Sequence, residues 1–509
     1  MAKISSETSE SLSEYLIQTG WIETPPEQVS LKAELGPISL QYPFITARMQ
    51  CVVGPKMAVA AGRNGILTMV PRSLRDQDKQ AIIDANQRVR LKKGEIEFQE
   101  NPECASPDST IEAVVNKVER TGHSIIPIAD KYFKVHGFYI HNPNNPPQVP
   151  PATLIRDLMV PLRGDTESKG LPFLVNSENK TEIRAILSKE DMKFLPIVDD
   201  NRILRKVAFL QKYDTNFIGL AVSTRGNWQE EIERWAHQVD TLTLDSSNAC
   251  FSAALEIIKY ARAKFSDKPF GVGNIISVED FKTFAKAGAS YVMGGMGVGS
   301  ICQTGSTRGN GRGQFTVAKE LARARDEFYK ESGTYVPVVI DGGIANLKDM
   351  TVALAFGDFI MMGNYFNKFY EAAAQKFKAD KKTPASEEEL MAFVETWGEG
   401  HPRARLVGMY GLDFRQALSK KSPEEASRVL ERYGHSSLSG ATVEGVVGLV
   451  PYRGRLKPSV EEDARYLRTT ISNAGAVDLK SFREKAVLEK ASQRTLHDML
   501  PHDIEVTEK

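Results

Sequence analysis

From residue 217 to residue 362, short apolar runs alternate with longer amphipathic patterns. The runs have the length and composition of buried strands: Phe217 to Val222, Thr241 to Leu244, Phe270 to Gly273, Tyr291 to Met293, Val336 to Ile340 and Phe359 to Met362. Helical patterns begin between them at Trp228, Ala253, Val278, Thr316 and Leu347. Strands and helices that alternate at this spacing predict parallel βα units with their strands in one buried sheet.

The first hundred residues add two units of the same kind. Strand-like runs from Phe44 to Thr46 and from Ile66 to Thr68 are each followed by a helical pattern. Together the units predict an α/β fold, a (β/α)8 TIM barrel, with its chemistry at the carboxyl ends of the strands. Residues 1–42 precede the barrel as an arm, in which we expect one short helix from Ser11 to Gln18.

An insert interrupts the predicted barrel between its second and third strands. It contains two similar halves, each with a polar cap, an amphipathic helix (Ile111 to Thr121, Thr181 to Lys189) and an apolar strand with an internal proline. The proline-rich linker from His141 to Pro151 separates the halves. We therefore expect three segments: 1–102 as the first part of the barrel, 103–213 as the insert, and 214–509 as the rest, which includes a polar segment at 401–445.

Composition excludes several classes of protein. Lys and Arg total 65 and Asp and Glu total 65, so no net charge draws the chain to nucleic acid or to an anionic membrane. The four cysteines lack CxxC spacing, which argues against a disulfide framework or zinc site and favours a reducing compartment. No apolar run approaches the ~20 residues of a spanning helix, and the N-terminus lacks a signal sequence. We expect a globular, cytoplasmic protein.

A glycine-rich loop that carries a single cysteine follows the predicted strand from Tyr291 to Met293. Gly295, Gly297 and Gly299 allow the backbone to turn sharply, and Cys302 stands at the end of the loop with Thr304 two residues on. A thiol presented at the end of a strand suits covalent catalysis. A flexible loop with a half-buried structural cysteine fits the same spacing.

Polar residues also follow other predicted strands. Asp245, with Ser246 and Ser247, can accept hydrogen bonds from a ribose diol or can cap the next helix. Met49 follows the first strand, where a methionine most often packs in the core. No Gly-x-Gly-x-x-Gly motif stands between a strand and a helix in a Rossmann setting, so a dinucleotide would have to bind across the barrel mouth.

The sequence of the glycine-rich loop closely resembles the catalytic loop of the inosine monophosphate (IMP) dehydrogenase and guanosine monophosphate (GMP) reductase family. The shared motif is Gly-x-Gly-x-Gly-Ser-x-Cys-x-Thr, from Gly295 to Thr304. The resemblance extends over nearly the whole chain and is greatest to a divergent branch from protozoa and some bacteria. The insert resembles a tandem pair of cystathionine-β-synthase (CBS) modules, which this family carries at the same point. Such pairs often bind purine nucleotides, and a structural insert without a ligand is the alternative.

The resemblance implies a role for particular residues. It assigns catalysis to Cys302, Thr304, Arg432, Tyr433 and Glu444. It assigns substrate binding to Met49, Ser300, Asp341, Gly343, Gly363, Asn364, Gly398 and Glu399. It assigns NAD contacts to Arg225, Asp245, Ser246, Ser247, Asn274 and Gly295, and a potassium ion to the backbone of Gly297, Gly299 and Cys302.

The phosphate-binding assignment departs from the family pattern, and the flap assignment has an alternative. Asn364 replaces the usual Ser or Arg of the phosphate turn, and Thr396 stands where a phosphate-contacting tyrosine is common. Arg432 precedes Glu444 by the spacing of the family's mobile flap, but Arg432 and Tyr433 can also simply end a helix.

The resemblance implies NAD-dependent oxidation of IMP to xanthosine monophosphate (XMP), in guanine nucleotide synthesis. The reaction would pass through a covalent thioimidate on Cys302, with the flap residues activating water afterwards. GMP reductase, which converts GMP to IMP with NADPH, is the alternative enzyme, and a non-catalytic nucleotide sensor is an alternative of another class. The family also implies a homotetramer or octamer.

Overall fold

The structure is a computed structural model of the chain. It describes residues 7–100, 102–121, 124–142, 147–162, 171–189, 192, 194–224, 226–386, 389–434 and 445–501. Contacts divide these residues into two compact units, one formed by residues up to 89 with 216–453 and 459 onwards, and the other by 90–215 with 454–458.

In the part of the first unit that the structure describes, eight parallel strands form one sheet. They are Phe44–Thr46 (β1), Thr68–Val70 (β2), Ile218–Val222 (β3), Thr241–Asp245 (β4), Phe270–Ile275 (β5), Tyr291–Gly294 (β6), Val338–Asp341 (β7) and Phe359–Met362 (β8). The strands pair in chain order from β2 to β8, and β8 then pairs with β1. A parallel bridge between Ile45 and Leu67 joins the two remaining edges, where the amide of Thr46 donates to the carbonyl of Leu67 at 3.0 Å. The sheet is thus closed, which confirms the predicted TIM barrel.

The barrel strands are largely apolar because both faces are covered. Every residue of β3, β5, β6 and β8 is buried. Such continuous burial is expected where side chains fill the barrel interior and helices cover its outside. Tyr291 is the largest interior side chain of β6, and its hydroxyl lies 3.2 Å from that of Thr241, so its one polar atom is satisfied.

Helices follow the strands as the periodicity predicts. They are Pro55–Arg63 (α1), Asp76–Arg88 (α2), Trp228–Ala236 (α3), Ser252–Lys264 (α4), Val278–Lys286 (α5), Gln314–Ser332 (α6) and Leu347–Leu354 (α7). The side chains of Ser277 and Asn346 cap α5 and α7, because each accepts a hydrogen bond from a backbone amide of the first turn. Among the described residues, none of the helices combines the length and hydropathy needed to cross a bilayer.

The chain makes a long excursion after β8. Strands Lys376–Phe377, Phe393–Trp397 and Val447–Pro451 form an antiparallel sheet, and helices Pro402–Tyr410, Phe414–Ser419 and Pro423–Gly434 lie between the last two of them. Three helices and a strand complete the described chain: Leu456–Asn473, Leu479–Lys485, Leu488–Lys490 and Gln493–Asp498.

The predicted helix from Ser11 to Gln18 is wrong. A single 3-10 turn spans Leu12–Glu14, and Tyr15–Ile17 is a strand that pairs antiparallel with Leu488–Lys490. The ring of Tyr15 stacks on Phe315 of α6 with the ring centroids 3.4 Å apart. These partners lie far away in sequence, so local periodicity carries no signal of them.

The described residues of the second unit form two small sheets, with one α-helix in each repeat. Strands Ile125–Ala129, Val135–Ile140 and Val160–Pro161 form one sheet, and Leu174–Val175, Leu195–Val198, Leu204–Leu210 and Ile96–Glu100 form the other. The helices are Ile111–Thr121 and Lys180–Lys189. In each half a helix is followed by a strand that pairs antiparallel with the next strand. The helix and the strand predicted for each half are therefore present, in the same order in both halves.

Candidate active site

A cavity of about 400 Å³ opens at the carboxyl ends of the barrel strands. Its wall is formed by residues at or just after the carboxyl ends of β1, β2, β4, β5, β6 and β7, together with residues 398–400. Cavities of roughly this size hold small organic ligands. The predicted site residues that line it are Met49, Asp245, Ser246, Ser247, Asn274, Gly295, Gly297, Gly299, Cys302, Thr304, Asp341, Gly398 and Glu399.

The other predicted residues fall into two groups. Ser300, Gly343, Gly363 and Asn364 are described, but they do not contribute to the wall of this cavity. Arg225 and Glu444 lie outside the described residues, as do the side chains of Arg432 and Tyr433. The backbone of the last two belongs to the final turn of the helix Pro423–Gly434. Their roles therefore stay predictions.

Cys302 lies at the end of the loop that follows β6. Its side chain is exposed to the cavity, and its thiol donates a hydrogen bond to the hydroxyl of Thr304 at 3.2 Å. Thr304 is buried and begins the short helix Thr304–Arg308. The Cys-x-Thr spacing thus brings a thiol and a fixed hydroxyl together, because the loop turns into a helix between them.

The base of this loop is held by close backbone packing. Gly295 has a φ of +144°, and a Cβ at this position would lie 2.1 Å from the carbonyl oxygen of Asp341. Further along, Met296 and Arg312 form an antiparallel bridge. The guanidinium of Arg312 donates to the carbonyl of Ile276 at 2.9 Å and to Glu320 at 2.7 Å. The two ends of the loop are therefore anchored, while Cys302 lies between them.

Arg48, which the sequence analysis did not single out, lies at the floor of the cavity. Its Nε donates to Asp245 at 2.5 Å and its Nη1 donates to Asp341 at 3.0 Å. Its Nη2 donates to the side-chain oxygen of Asn274 at 2.5 Å. Burial alone would lower the pKa of Arg48, but the carboxylates of Asp245 and Asp341 outweigh it and raise that pKa. One guanidinium thus joins residues predicted for the substrate and for the cofactor.

The same network continues on both sides of Arg48. Arg72 donates to the second carboxylate oxygen of Asp245 at 3.1 Å. Burial would raise the pKa of Asp245, but Arg48 and Arg72 together lower it, so this carboxylate stays ionised. The amide nitrogen of Asn274 donates to Asp341 at 3.0 Å and to the carbonyl of Gly295 at 2.7 Å. The network therefore reaches the base of the loop that carries Cys302.

Glu399 forms the opposite part of the wall. One of its carboxylate oxygens accepts a hydrogen bond from the amide of Gln50 at 2.7 Å, and the other accepts from the hydroxyl of Ser73. Glu399 is exposed to the cavity, but the protein atoms around that cavity desolvate its carboxyl and raise the pKa of Glu399 to about 7. The bonds from Ser73 and Gln50 favour the anion and oppose the shift. Glu399 can therefore both accept and donate hydrogen bonds near neutral pH.

The turn after β8 packs directly against Met49. A Cβ on Gly363 would lie 2.6 Å from the sulfur of Met49, so the backbone can approach the thioether only because residue 363 is glycine. The side-chain oxygen of the next residue, Asn364, is buried and has no hydrogen-bond partner among the described residues. Met49 thus contacts both the cavity and the turn that is predicted to hold phosphate.

Comparisons with known proteins agree with the geometry. The family model described as the IMP dehydrogenase / GMP reductase domain matches residues 10–502. Inosine-5'-monophosphate dehydrogenase of Tritrichomonas foetus is 29% identical, with 100% of this chain and 99% of that protein covered. The enzyme of the same name from Aquifex aeolicus is 25% identical, with 97% and 95% covered.

A solved structure also matches. It is a GMP reductase variant from Trypanosoma brucei in complex with guanosine 5'-monophosphate, with a TM-score of 0.64 over 98% of this chain and 99% of that one. At 19% identity this similarity concerns the fold alone. The family model, which spans nearly the whole chain, carries more information. The chain therefore belongs to the IMP dehydrogenase / GMP reductase family of oxidoreductases.

Proposed function

We propose that the protein oxidises IMP to XMP with NAD as the hydride acceptor. The observation that carries the proposal is one cavity whose wall holds the Cys302 thiol, Asp341 and Asp245. A thiol supplies the nucleophile, and two carboxylates after different strands supply acceptors for the hydroxyls of two riboses. The relatives from Tritrichomonas foetus and Aquifex aeolicus, which bear the name of this enzyme, support the same reading.

The reaction needs a nucleophile, a hydride acceptor and an activated water. The sulfur of Cys302 would bond to C2 of IMP while the C2–N3 double bond opens and N3 takes up the thiol proton. A bound NAD would supply the acceptor for the hydride that leaves C2; N3 then releases its proton, the double bond re-forms, and a thioimidate remains on Cys302. Water then attacks C2, the carbon–sulfur bond breaks, and XMP leaves while the thiol regains a proton. Thr304, fixed beside the sulfur, is suited to relay that proton, and Arg432 with Tyr433 and Glu444 would activate the water.

The residues of this chain fit a nicotinamide cofactor at the Asp245 side of the cavity. The Asp245 carboxylate and the exposed Ser247 hydroxyl present hydrogen-bonding groups of the kind that a ribose requires. Both amide hydrogens of Asn274 are bonded, to Asp341 and Gly295, so its side-chain oxygen would accept from a carboxamide through its remaining lone pair. Ser246 uses its hydroxyl to donate to the carbonyl of Asn248 at 2.7 Å, so its own contribution is to the shape of this turn. The Arg225 side chain would complete the site.

Potassium would bind through carbonyl oxygens of Gly297, Gly299 and Cys302. The carbonyl of Gly299 accepts the amide of Cys302 at 2.9 Å, which leaves it a second lone pair for a cation. No group of three or more His, Cys, Asp and Glu side chains suited to a metal occurs among the described residues. A site made of backbone oxygens is compatible with that finding.

We further propose that residues 103–213 are a tandem CBS insert that binds a purine nucleotide. The repeated arrangement of helix, strand and antiparallel strand supports this assignment. A cytoplasmic location and a homotetramer or octamer complete the proposal, and the oligomeric state rests on the family alone.

Parallel assays of the purified chain test the proposed activity. IMP with NAD should give NADH and XMP in equal amounts, and GMP with NADPH should give no IMP. Formation of IMP from GMP, without XMP from IMP, would replace the dehydrogenase with the reductase. Turnover in neither assay, with purine nucleotides still bound, would favour the nucleotide sensor.

A further inference from the structure

We propose that Arg48 is a positioning residue that couples the IMP and NAD halves of the site. This inference rests on the proposed function, because it takes Asp341 as the ribose ligand of IMP and Asp245 as that of NAD. Nothing in the reaction itself requires an arginine at this place, so the argument depends on the geometry of the guanidinium.

The guanidinium of Arg48 is shared between the two half-sites. It donates to Asp245 through Nε and to Asp341 through Nη1, at 2.5 and 3.0 Å. The Arg48 side chain is only 10% exposed, while those of Asp245 and Asp341 are 20% and 18% exposed. The guanidinium is thus more completely covered by protein than either carboxylate, although all three side chains line the cavity.

The position of this guanidinium is fixed from several directions. Nη2 donates to Asn274, and Nη1 also contacts the sulfurs of Met293 at 3.5 Å and Met361 at 2.9 Å. These partners come from β6 and β8 and from the end of β5. A planar, rigid fork held on all sides transmits a displacement of one carboxylate to the other, since neither bond can change without rotating the fork.

Coupling follows from the shared charge. A ribose hydroxyl that donates to Asp341 withdraws negative charge from that carboxylate and weakens its bond to Nη1. The guanidinium can then bind Asp245 more tightly and fix it in the position that accepts the second ribose. Two ligands that bias one element in this way change each other's affinity by the same factor, typically ~5–150-fold.

Arg72 provides a matched control. Its Nε also donates to Asp245, at 3.1 Å, but its side chain is 43% exposed and it has no bond to Asp341 in the described structure. Loss of Arg72 removes a positive charge from the same carboxylate without removing a link between the two sites.

The coupling is measured by calorimetric titration of full-length chains that also carry Cys302→Ala, so that IMP and NAD bind without reacting. IMP is titrated with and without saturating NAD, and the ratio of the two dissociation constants is the coupling factor. We expect NAD to tighten IMP binding at least ~5-fold with Arg48 present. In Arg48→Met the ratio should fall to within ~2-fold of one, and in Arg48→Lys it should also fall, because an ammonium cannot form the fork.

Arg72→Ala should weaken NAD binding, but its coupling factor should equal that of the Cys302→Ala chain in which Arg48 and Arg72 are both present. The proposal is overturned if folded Arg48→Met keeps that ratio, if Arg72→Ala removes it equally, or if the ratio is one with Arg48 present. Should Arg48→Met not fold, Arg48→Lys, which keeps the buried charge, decides by the same ratio. If the parent turns over GMP with NADPH and not IMP with NAD, the proposed function fails, and the titrations with GMP and NADP then decide the coupling separately.

Discussion

The thiol of Cys302 and the hydroxyl of Thr304 lie 3.2 Å apart, with the thiol as donor. The two residues belong to different local structures, since Cys302 ends the loop and Thr304 begins the helix Thr304–Arg308. Thr304 is buried, whereas Cys302 is exposed to the cavity. The thiol is therefore accessible, while the hydroxyl that accepts its hydrogen bond is covered by protein.

Removal of the Thr304 hydroxyl tests this arrangement. Thr304→Val keeps the shape of the side chain but deprives the sulfur of its partner, so XMP formation should slow by ~10²-fold or more. IMP affinity should change little, because the hydroxyl faces the thiol. Rapid mixing with IMP and NAD should still show a burst of NADH if hydrolysis is the slowed step. Ser306→Ala, which removes an exposed hydroxyl from the same helix, is the control, and equal losses in both variants would contradict the assigned role.

The raised pKa of Glu399 predicts a dependence of stability on pH. An unfolded chain ionises this carboxyl from its ordinary pKa of 4.5, whereas the folded chain keeps the proton until about pH 7. The unfolded state therefore binds fewer protons in this window, and stability falls as pH rises through it. The Tm of the parent, taken relative to that of Glu399→Gln, should fall between pH 4.5 and about 7 and then level off.

Ser73→Ala refines this test. The Ser73 hydroxyl donates to Glu399 and favours its anion, so its loss should move the upper end of the window to higher pH. A Tm difference that does not change with pH would mean that Glu399 ionises normally.

The contact between Met49 and Gly363 predicts a non-additive pair of substitutions. Gly363→Ala places a methyl group against the Met49 sulfur, and the flexible thioether must turn aside at a cost of about 0.5–1.5 kcal/mol in the free energy of unfolding or of IMP binding. Met49→Ala removes the obstacle, so the methyl group should cost much less in the double variant. Urea unfolding and IMP titration of all four chains give the coupling. Strict additivity would show that the two residues do not meet.

Deletion of the inserted unit tests its independence. The continuous part of the unit, residues 90–215, begins and ends at adjacent residues, since the amide of Thr215 donates to the carbonyl of Leu91 at 2.9 Å. Joining residue 89 to residue 216 through a short glycine linker should leave a folded barrel that turns over IMP. Any effect of purine nucleotides on the parent's activity should disappear. Loss of activity with loss of folding would contradict the independence of the barrel.

The boundary of this deletion differs from the sequence-based one for a physical reason. The strand Ile96–Glu100 pairs with Leu204–Leu210, so it belongs to the sheet of the second unit although it precedes residue 103. Composition changes near Pro102, but hydrogen bonding to a distant strand decides where the unit begins.

Sequence patterns predict the elements whose structure depends on neighbouring residues in the chain. Strands of the barrel and the loop with Cys302 follow from apolar runs and glycine spacing, and the structure has them at nearly the predicted residues. Arg48 could not be found in this way, because its partners Asp245 and Asp341 are 197 and 293 residues away. An arginine directly after a buried barrel strand was the one available signal. The helix predicted from Ser11 to Gln18 is wrong for the same reason. Tyr15 lies in a strand because it pairs with Lys490 and stacks on Phe315, both far away in sequence.

The mass of the peptide that contains Cys302 tests the central claim most directly. The parent is quenched in acid during turnover with IMP and NAD, digested and analysed, with Cys302→Ala and Cys250→Ala as controls. The account predicts an IMP-derived adduct on Cys302 in the parent and in Cys250→Ala, no adduct in Cys302→Ala, and one XMP formed for each NADH. XMP formation by Cys302→Ala at the parent's rate, or turnover without an adduct on Cys302, would contradict it.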